Sequence, residues 1–155
     1  MVTIEEFMTS KPYTLRETDL VSDAWRIMTE KNIRHIPVTD SDNQLLGLVT
    51  QRDVLAATGP VLIEQDDKAS HVDGQDIELS EIMIRKVKVI HKDEPLREAA
   101  VYMQSHKYGC LPVVSDQGLT GIITDSDFVS IAINLLEQVE LSEQNYDEED
   151  VFDEL

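Results

Sequence analysis

Two stretches of the chain share one arrangement of apolar and polar positions. In each, a short extended run, Tyr13-Thr14-Leu15 or Val87-Lys88-Val89-Ile90, precedes a segment with apolar residues at i, i+3, i+4 and i+7. Those residues are Val21, Ala24, Trp25 and Met28 in the first stretch and Leu96, Ala99, Ala100 and Met103 in the second. The spacing lines one face at 3.6 residues per turn, which predicts a helix buried along one stripe in each. Asp19 and Glu94 stand where a helix cap is wanted, and Pro95 suits a first helical position.

Two apolar strands then flank a polar turn. Ile36-Pro37-Val38-Thr39 and Leu46-Gly47-Leu48-Val49-Thr50 enclose Asp40-Ser41-Asp42-Asn43. Leu111-Pro112-Val113-Val114 and Thr120-Gly121-Ile122-Ile123-Thr124 enclose Ser115-Asp116-Gln117-Gly118, so a hairpin is predicted twice. A second helix starts directly after Thr50 with Val54 and Leu55, and directly after Thr124 with Phe128, Ile131, Ala132 and Leu135. Each stretch therefore reads β-α-β-β-α, an α/β (α+β) chain of two repeats.

Residue identities support the duplication. An offset of 75 places Met8 on Met83, Lys11 on Lys86, Ala24 on Ala99, Met28 on Met103, Pro37 on Pro112 and Val38 on Val113. After a turn one residue shorter the offset is 74, and Gly47, Thr50 and Asp53 fall on Gly121, Thr124 and Asp127. The expected organisation is a first repeat over 1–58, a linker over 59–79 with a short helix near 61–70, a second repeat over 80–136 and an acidic tail over 137–155. A repeat of this size buries little surface alone, so the two are expected to pack about a pseudo-twofold axis with a shared cleft.

Composition narrows the function. No apolar run approaches the roughly 20 residues that span a bilayer, so no membrane helix is expected. The start, Met1-Val2-Thr3-Ile4-Glu5-Glu6, lacks the basic and apolar stretches of a secretory signal, and the lone Cys110 cannot form an internal disulfide. A cytoplasmic protein is expected. Half of the net charge of -18 lies in residues 137–155, which hold nine acids and no base. So negative a surface repels nucleic acid and anionic lipid, and neither is expected as a partner.

The sharpest local pattern is an apolar strand ending in Thr-x-x-Asp, as Thr50-Gln51-Arg52-Asp53 and again as Thr124-Asp125-Ser126-Asp127. Either pair can serve as a variant capping box worth about 1 kcal/mol with no ligand at all. Alternatively, a carboxylate at a helix start can accept bonds from vicinal ribose hydroxyls, while the N–H groups there favour phosphate.

With its β-α-β-β-α order, the Pro-Val elements of His35-Ile36-Pro37-Val38 and Cys110-Leu111-Pro112-Val113, and the Gly-apolar-apolar-Thr-x-x-Asp that follows, the chain resembles tandem CBS domains over residues 5–58 and 80–136. The resemblance implies a non-catalytic sensor whose cleft holds adenosine derivatives: AMP, ADP, ATP or S-adenosylmethionine, with Mg2+ only as a companion of a nucleotide. It implies ribose contacts from Asp53 and Asp127, with Thr50 and Thr124 beside them. It also implies base contacts from the backbone of Arg34, His35 and Ile36 and of Tyr108, Gly109, Cys110 and Leu111, bordered by Thr14 and Val89. Local charge differs between the copies: Arg34, His35 and Arg52 in the first, Asp125 and Ser126 in the second with Lys86 and Lys107 further back. Phosphates are expected to meet Arg52 and Arg34.

Other features carry less. Cys110 reads as a small buried apolar group. Trp25 and Met28 are expected at a homodimer surface, as the resemblance places helix faces there. Asp40-x-Asp42 fails as a calcium loop because Leu45 and Gln51 stand where glycine and glutamate are needed. No phosphate-loop, nucleophile-elbow or metalloprotease string occurs, so no enzyme is expected. The acidic end reads either as a disordered solubilising tail or as a docking peptide for a basic groove. The resulting expectation is a regulatory homodimer that signals to a protein effector. The alternative is a ligand-independent dimeric scaffold that docks a partner through its acidic tail.

Overall fold

The computed structural model describes residues 1–58 and 77–153, with their side chains as far as residue 147. The predicted linker helix lies outside the described residues. Along the chain run β1 (Thr9–Ser10), α1 (Val21–Lys31), β2 (His35–Thr39), β3 (Leu45–Thr50), α2 (Gln51–Thr58), β4 (Ile90–His91), α3 (Leu96–His106), β5 (Cys110–Ser115), β6 (Gly118–Thr124) and α4 (Asp125–Asp153). Short 3-10 turns occur at Ile4–Glu6 and Leu79–Glu81. No described helix is long and apolar enough to cross a membrane.

The helices bury the predicted stripes: Val21, Ala24 and Met28 on α1, and Leu96, Ala99 and Met103 on α3. Met28 is therefore core, only 3% exposed, and does not belong to a dimer surface; Trp25 packs half-buried on the same core. The caps fall one residue later than the sequence suggests. Leu20 is the cap of α1, its N–H held by the Asp23 carboxylate at 2.9 Å, while Asp19 accepts from the N–H of Arg16 at 2.7 Å. Pro95 caps α3 with an extended backbone instead of opening its first turn.

Both hairpins form, with β2 antiparallel to β3 and β5 antiparallel to β6. Asp40 shapes the first loop by accepting from the N–H groups of Asp42 and Gln44, each at 2.9 Å. Only Asp116 and Gln117 separate the strands of the second hairpin, and Gly118 at φ 94 closes it in a conformation suited to glycine. The two tips hold each other: Asn43 donates its side-chain amide to the Leu119 carbonyl at 2.8 Å and accepts from the Leu119 N–H at 3.0 Å.

The opening segments of the two repeats are exchanged. Ile4 is fully buried in the second repeat's core with Ile90, Leu96, Leu111, Val113 and Ile123. β1 then pairs with β6, giving the sheet order β1-β6-β5-β4. Reciprocally, Leu79 and Met83 pack into the first core with Val21, Met28, Val38 and Val49. Ile84 exchanges two backbone hydrogen bonds with Leu48, both 2.9 Å. The repeated glycine now has a physical reason. A Cβ on Gly47 would stand 2.6 Å from the Ile84 carbonyl oxygen, and one on Gly121 would stand 2.9 Å from that of Thr9. Leu48 and Ile122, equivalent in the repeat, meet Cys110 in a small buried cluster between the two sheets.

The acidic end is not irregular: α4 runs unbroken for 29 residues. Residues 125–153 contain no glycine or proline and are rich in leucine, glutamate and glutamine, all good helix formers. The helix carries ten acids and no base. Its first turn gains from Asp125 and Asp127, whereas the acids of its last turns oppose the macrodipole.

Candidate functional site

Each repeat opens a gap beside its hairpin. β4 joins β5 only from Ile90 onward, so the preceding residues 86–88 and the facing residues 108–111 bound a cavity of about 150 Å³. Leu48, Thr50 and Ile84 close it from the other repeat. The equivalent parallel contact in the first repeat is a single bridge from Leu15 to Val38. Ahead of it, Pro12, Tyr13 and residues 32–35 bound a second cavity of about 220 Å³, closed by Thr9, Ile122, Thr124 and residues 125–127. A recess of about 470 Å³, lined by Arg34, His35, Thr50, Arg52, Asp53, Lys107, Tyr108 and Asp125 among others, adjoins the first cavity. Each site thus combines the Thr-x-x-Asp start of one repeat with the strand entry of the other.

At both helix starts the carboxylate makes the cap. Asp53 Oδ2 accepts from the Thr50 N–H at 3.0 Å and hydroxyl at 2.8 Å, and Asp127 Oδ2 accepts from those of Thr124 at 2.8 and 3.2 Å. The threonine hydroxyls accept in turn from the aspartate N–H groups at 3.1 and 3.4 Å. The second oxygens differ. Asp127 Oδ1 accepts from the Thr9 hydroxyl at 3.0 Å, whereas Asp53 Oδ1 has no hydrogen bond among the described residues. Capping and an open rim coexist here, since both aspartates are only half-buried and each lines a cavity.

Of the residues singled out from the sequence, Lys86, Tyr108, Gly109, Cys110, Leu111, Thr50 and His35 line the first cavity. Arg52 and Asp53 line the recess, and Thr124, Ser126 and Asp127 line the second cavity. Arg34 stands between recess and second cavity, with Nη2 3.5 Å from Asp125. Thr14, Val89 and Ile36 line none of the three. Tyr13 and Lys88, one position earlier, occupy the places expected of Thr14 and Val89, because strand pairing begins later than the sequence suggests. Ile36 points into the first core. Two backbone acceptors expected to face a base are already used: the carbonyls of Arg34 and Gly109 accept from the N–H groups of Gln51 and Asp125 at 2.9 and 3.1 Å. Sequence reasoning also missed Ile84 and Thr9, which only the segment exchange brings here.

The electrostatics single out a buried thiol and a half-buried imidazole. Burial pushes the Cys110 thiol well above its ordinary range, with the Asp127 and Asp125 charges adding to the rise, so the thiolate is disfavoured. Burial lowers His35 below 6.5; Asp125 and Asp53 oppose that shift, and Arg34 adds to it. The folded state then binds this proton less readily than the unfolded chain. The stabilisation it supplies is complete above pH 6.5 and is lost as pH falls through the lowered value. Urea unfolding of the parent chain and His35→Gln between pH 8 and pH 5 reads this: the parent loses more stability on acidification than the variant. Parallel pH curves would contradict it.

The CBS domain profile matches residues 4–59 and 79–134, the two repeats described above. The chain belongs to the CBS domain family. Among solved CBS pairs it is similar to a protein assigned to acetoin utilization (AcuB) from Vibrio cholerae, at 45% identity and TM-score 0.77, covering 90% of this chain and 96% of that one. It is also similar to CBSX2, solved in complex with AMP, at 27% identity and TM-score 0.72, covering 87% and 98%. A third likeness is to the CBS domain pair of protein MJ0100, solved with 5′-methylthioadenosine and S-adenosyl-L-methionine, at 25% identity and TM-score 0.70, covering 86% and 98%. Among curated relatives, the homoserine O-acetyltransferase of Methanococcus vannielii is 32% identical over 116 residues, and the chain spans 22% of its length.

Proposed function

We propose that this CBS pair is a regulatory module without chemistry of its own, which binds an adenosine derivative in its cleft and passes ligand state to a protein effector. The observation that carries the reading is the Oδ1 of Asp53, without a hydrogen bond among the described residues, on the wall of a cation-lined recess, at a helix start that also offers N–H groups. A ribose laid against that oxygen puts its base in the slot between residues 86–88 and 108–111 and its 5′ group toward Arg52 and Lys107. The similar pairs solved with AMP, and with 5′-methylthioadenosine and S-adenosyl-L-methionine, support the ligand class. We read Mg2+ only as an escort of a bound di- or triphosphate, and the cytoplasm as the working compartment of the buried, unpaired thiol.

Because a ligand in either site touches both repeats, occupancy favours the arrangement in which they clasp, and this population shift is the signal. The output surface is α4. Val129, Ile133 and Leu136 are exposed at i, i+4 and i+7 near its start, where a second copy would complete a homodimer. Its acidic far end suits a basic effector and would repel its own twin. That end also favours part of the scaffold alternative, in which α4 alone does the work.

Calorimetric titration with AMP, ADP, ATP and S-adenosylmethionine tests the reading. At least one binds the parent chain, and Asp53→Ala weakens it by about tenfold or more, the worth of a lost charge-assisted hydrogen bond. Silence across the whole panel would leave only the scaffold.

A further inference from the structure

The repeat allows the two ligand sites to be compared position by position, and their charges diverge. Lys88, Lys107 and Arg52 line the first site. At the equivalent positions around the second stand Tyr13, Asn32 and Ser126, all uncharged. Gln51, beside the first helix start, is replaced by Asp125 at the second. In all, the first site is faced by Lys86, Lys88, Lys107, Arg52 and Arg34 against Asp53 and Asp125. The lining of the second holds Arg34 against Asp125 and Asp127, with Lys31 Nζ 5.6 Å from the ring centre of the lining Tyr13.

Even that arginine is engaged, since Arg34 Nη2 stands 3.5 Å from Asp125 Oδ1. Asp127 is also committed, with Oδ2 on Thr124 and Oδ1 on the Thr9 hydroxyl. A phosphate entering the second site would lie beside two carboxylates with one shared cation in the lining. In the first site it would meet Lys86, Lys107 and Arg52, which have no ion pair among the described residues, and Lys88, which stands over the Tyr102 ring, and charge of one sign in a cleft focuses ligands of the other. Resting on the adenosine reading above, we propose that the two sites sort ligands by charge. The Asp53 site takes a phosphate-bearing adenosine. The Asp127 site takes an adenosine whose 5′ group is uncharged or cationic, a thioether or a sulfonium. One chain then holds one of each.

Calorimetry on the full chain with AMP and 5′-methylthioadenosine as probes tests the partition. AMP saturates at one equivalent, and 5′-methylthioadenosine then adds one equivalent to the AMP-loaded protein. The double variant Asp125→Gln with Ser126→Arg copies the first site's loop into the second. Both side chains are exposed, so the core is untouched. In this variant AMP saturates at two equivalents, its affinity for the second site rising by about tenfold or more, as expected for removal of a like charge and gain of an opposite one. Two equivalents of AMP on the parent chain with affinities within about threefold of each other would overturn the partition alone, as that gap is well under 1 kcal/mol. So would displacement of 5′-methylthioadenosine by AMP from a single common site. Binding of no adenosine compound would overturn the site reading and the partition with it.

Discussion

Gly121→Val and Gly47→Val each lower the free energy of unfolding by about 3 kcal/mol, the upper range for overpacking a well-filled site. At both positions a backbone carbonyl oxygen stands in the way beside a methionine side chain, Met8 Sδ at 2.5 Å from a Cβ at 121 and Met83 Cε at 3.0 Å from one at 47. The Thr9 carbonyl oxygen would lie 2.9 Å from a Cβ at 121, and the Ile84 carbonyl oxygen 2.6 Å from one at 47. Neither can swing aside as a side chain would, because each belongs to a segment anchored by a buried residue, Ile4 in one case and Met83 in the other. Relief requires detaching the exchanged segment, and with it the Thr9 hydrogen bond to Asp127 or the Ile84 wall of the first cavity. Gly109→Ala is the control. Its added Cβ would meet the His35 ring at 3.5 Å and the Asp125 carboxylate at 3.6 Å, ordinary contact distances. Its effect stays within about 1 kcal/mol, since alanine also narrows the unfolded ensemble. Denaturant titration of the three variants reads the comparison. Equal, small losses at all three positions would show that the exchanged segments are not held this closely.

Saturation with AMP at one hundred times its dissociation constant raises the unfolding free energy by about 2.7 kcal/mol. For a chain of 155 residues this moves the melting temperature up by roughly 5–11 °C. In Asp53→Ala the rise at the same AMP concentration falls to about 1.4 kcal/mol or less, because a tenfold weaker affinity leaves the ligand at about ten times its dissociation constant. The variant also starts lower, because it loses the carboxylate that accepts from the Thr50 N–H and hydroxyl, a cap worth about 1 kcal/mol. The ligand-induced shift therefore separates binding from stability, whereas the unliganded melting temperature mixes them. An undiminished shift in Asp53→Ala would remove this carboxylate from the ligand site and leave it a cap only.

Much of the architecture was legible in local patterns. The stripes of α1 and α3 are visible because a helix buries every third or fourth residue whatever it packs against. The hairpins are visible because polar turn residues interrupt apolar strands. The Thr-x-x-Asp starts were legible too, both as caps and as cavity rims, since cap geometry depends on four consecutive residues. The exact border of each slot was not. Thr14 and Val89 were expected where Tyr13 and Lys88 stand, because where a strand begins to pair depends on a partner far along the chain. The acidic end read either as a disordered tail or as a docking peptide, yet the absence of glycine and proline lets its helix continue to Asp153.

By itself the sequence determined two copies of one β-α-β-β-α unit and the chemistry at the start of each second helix, because hydrophobic period and capping are local. Only the tertiary structure decided that residues 1–10 complete the second unit and residues 77–85 the first. Ile4 and Leu79 are apolar anchors suited to either core, and sequence proximity does not choose between them. From that exchange follows the composition of each site, since a cavity wall is built by whichever segment packs there.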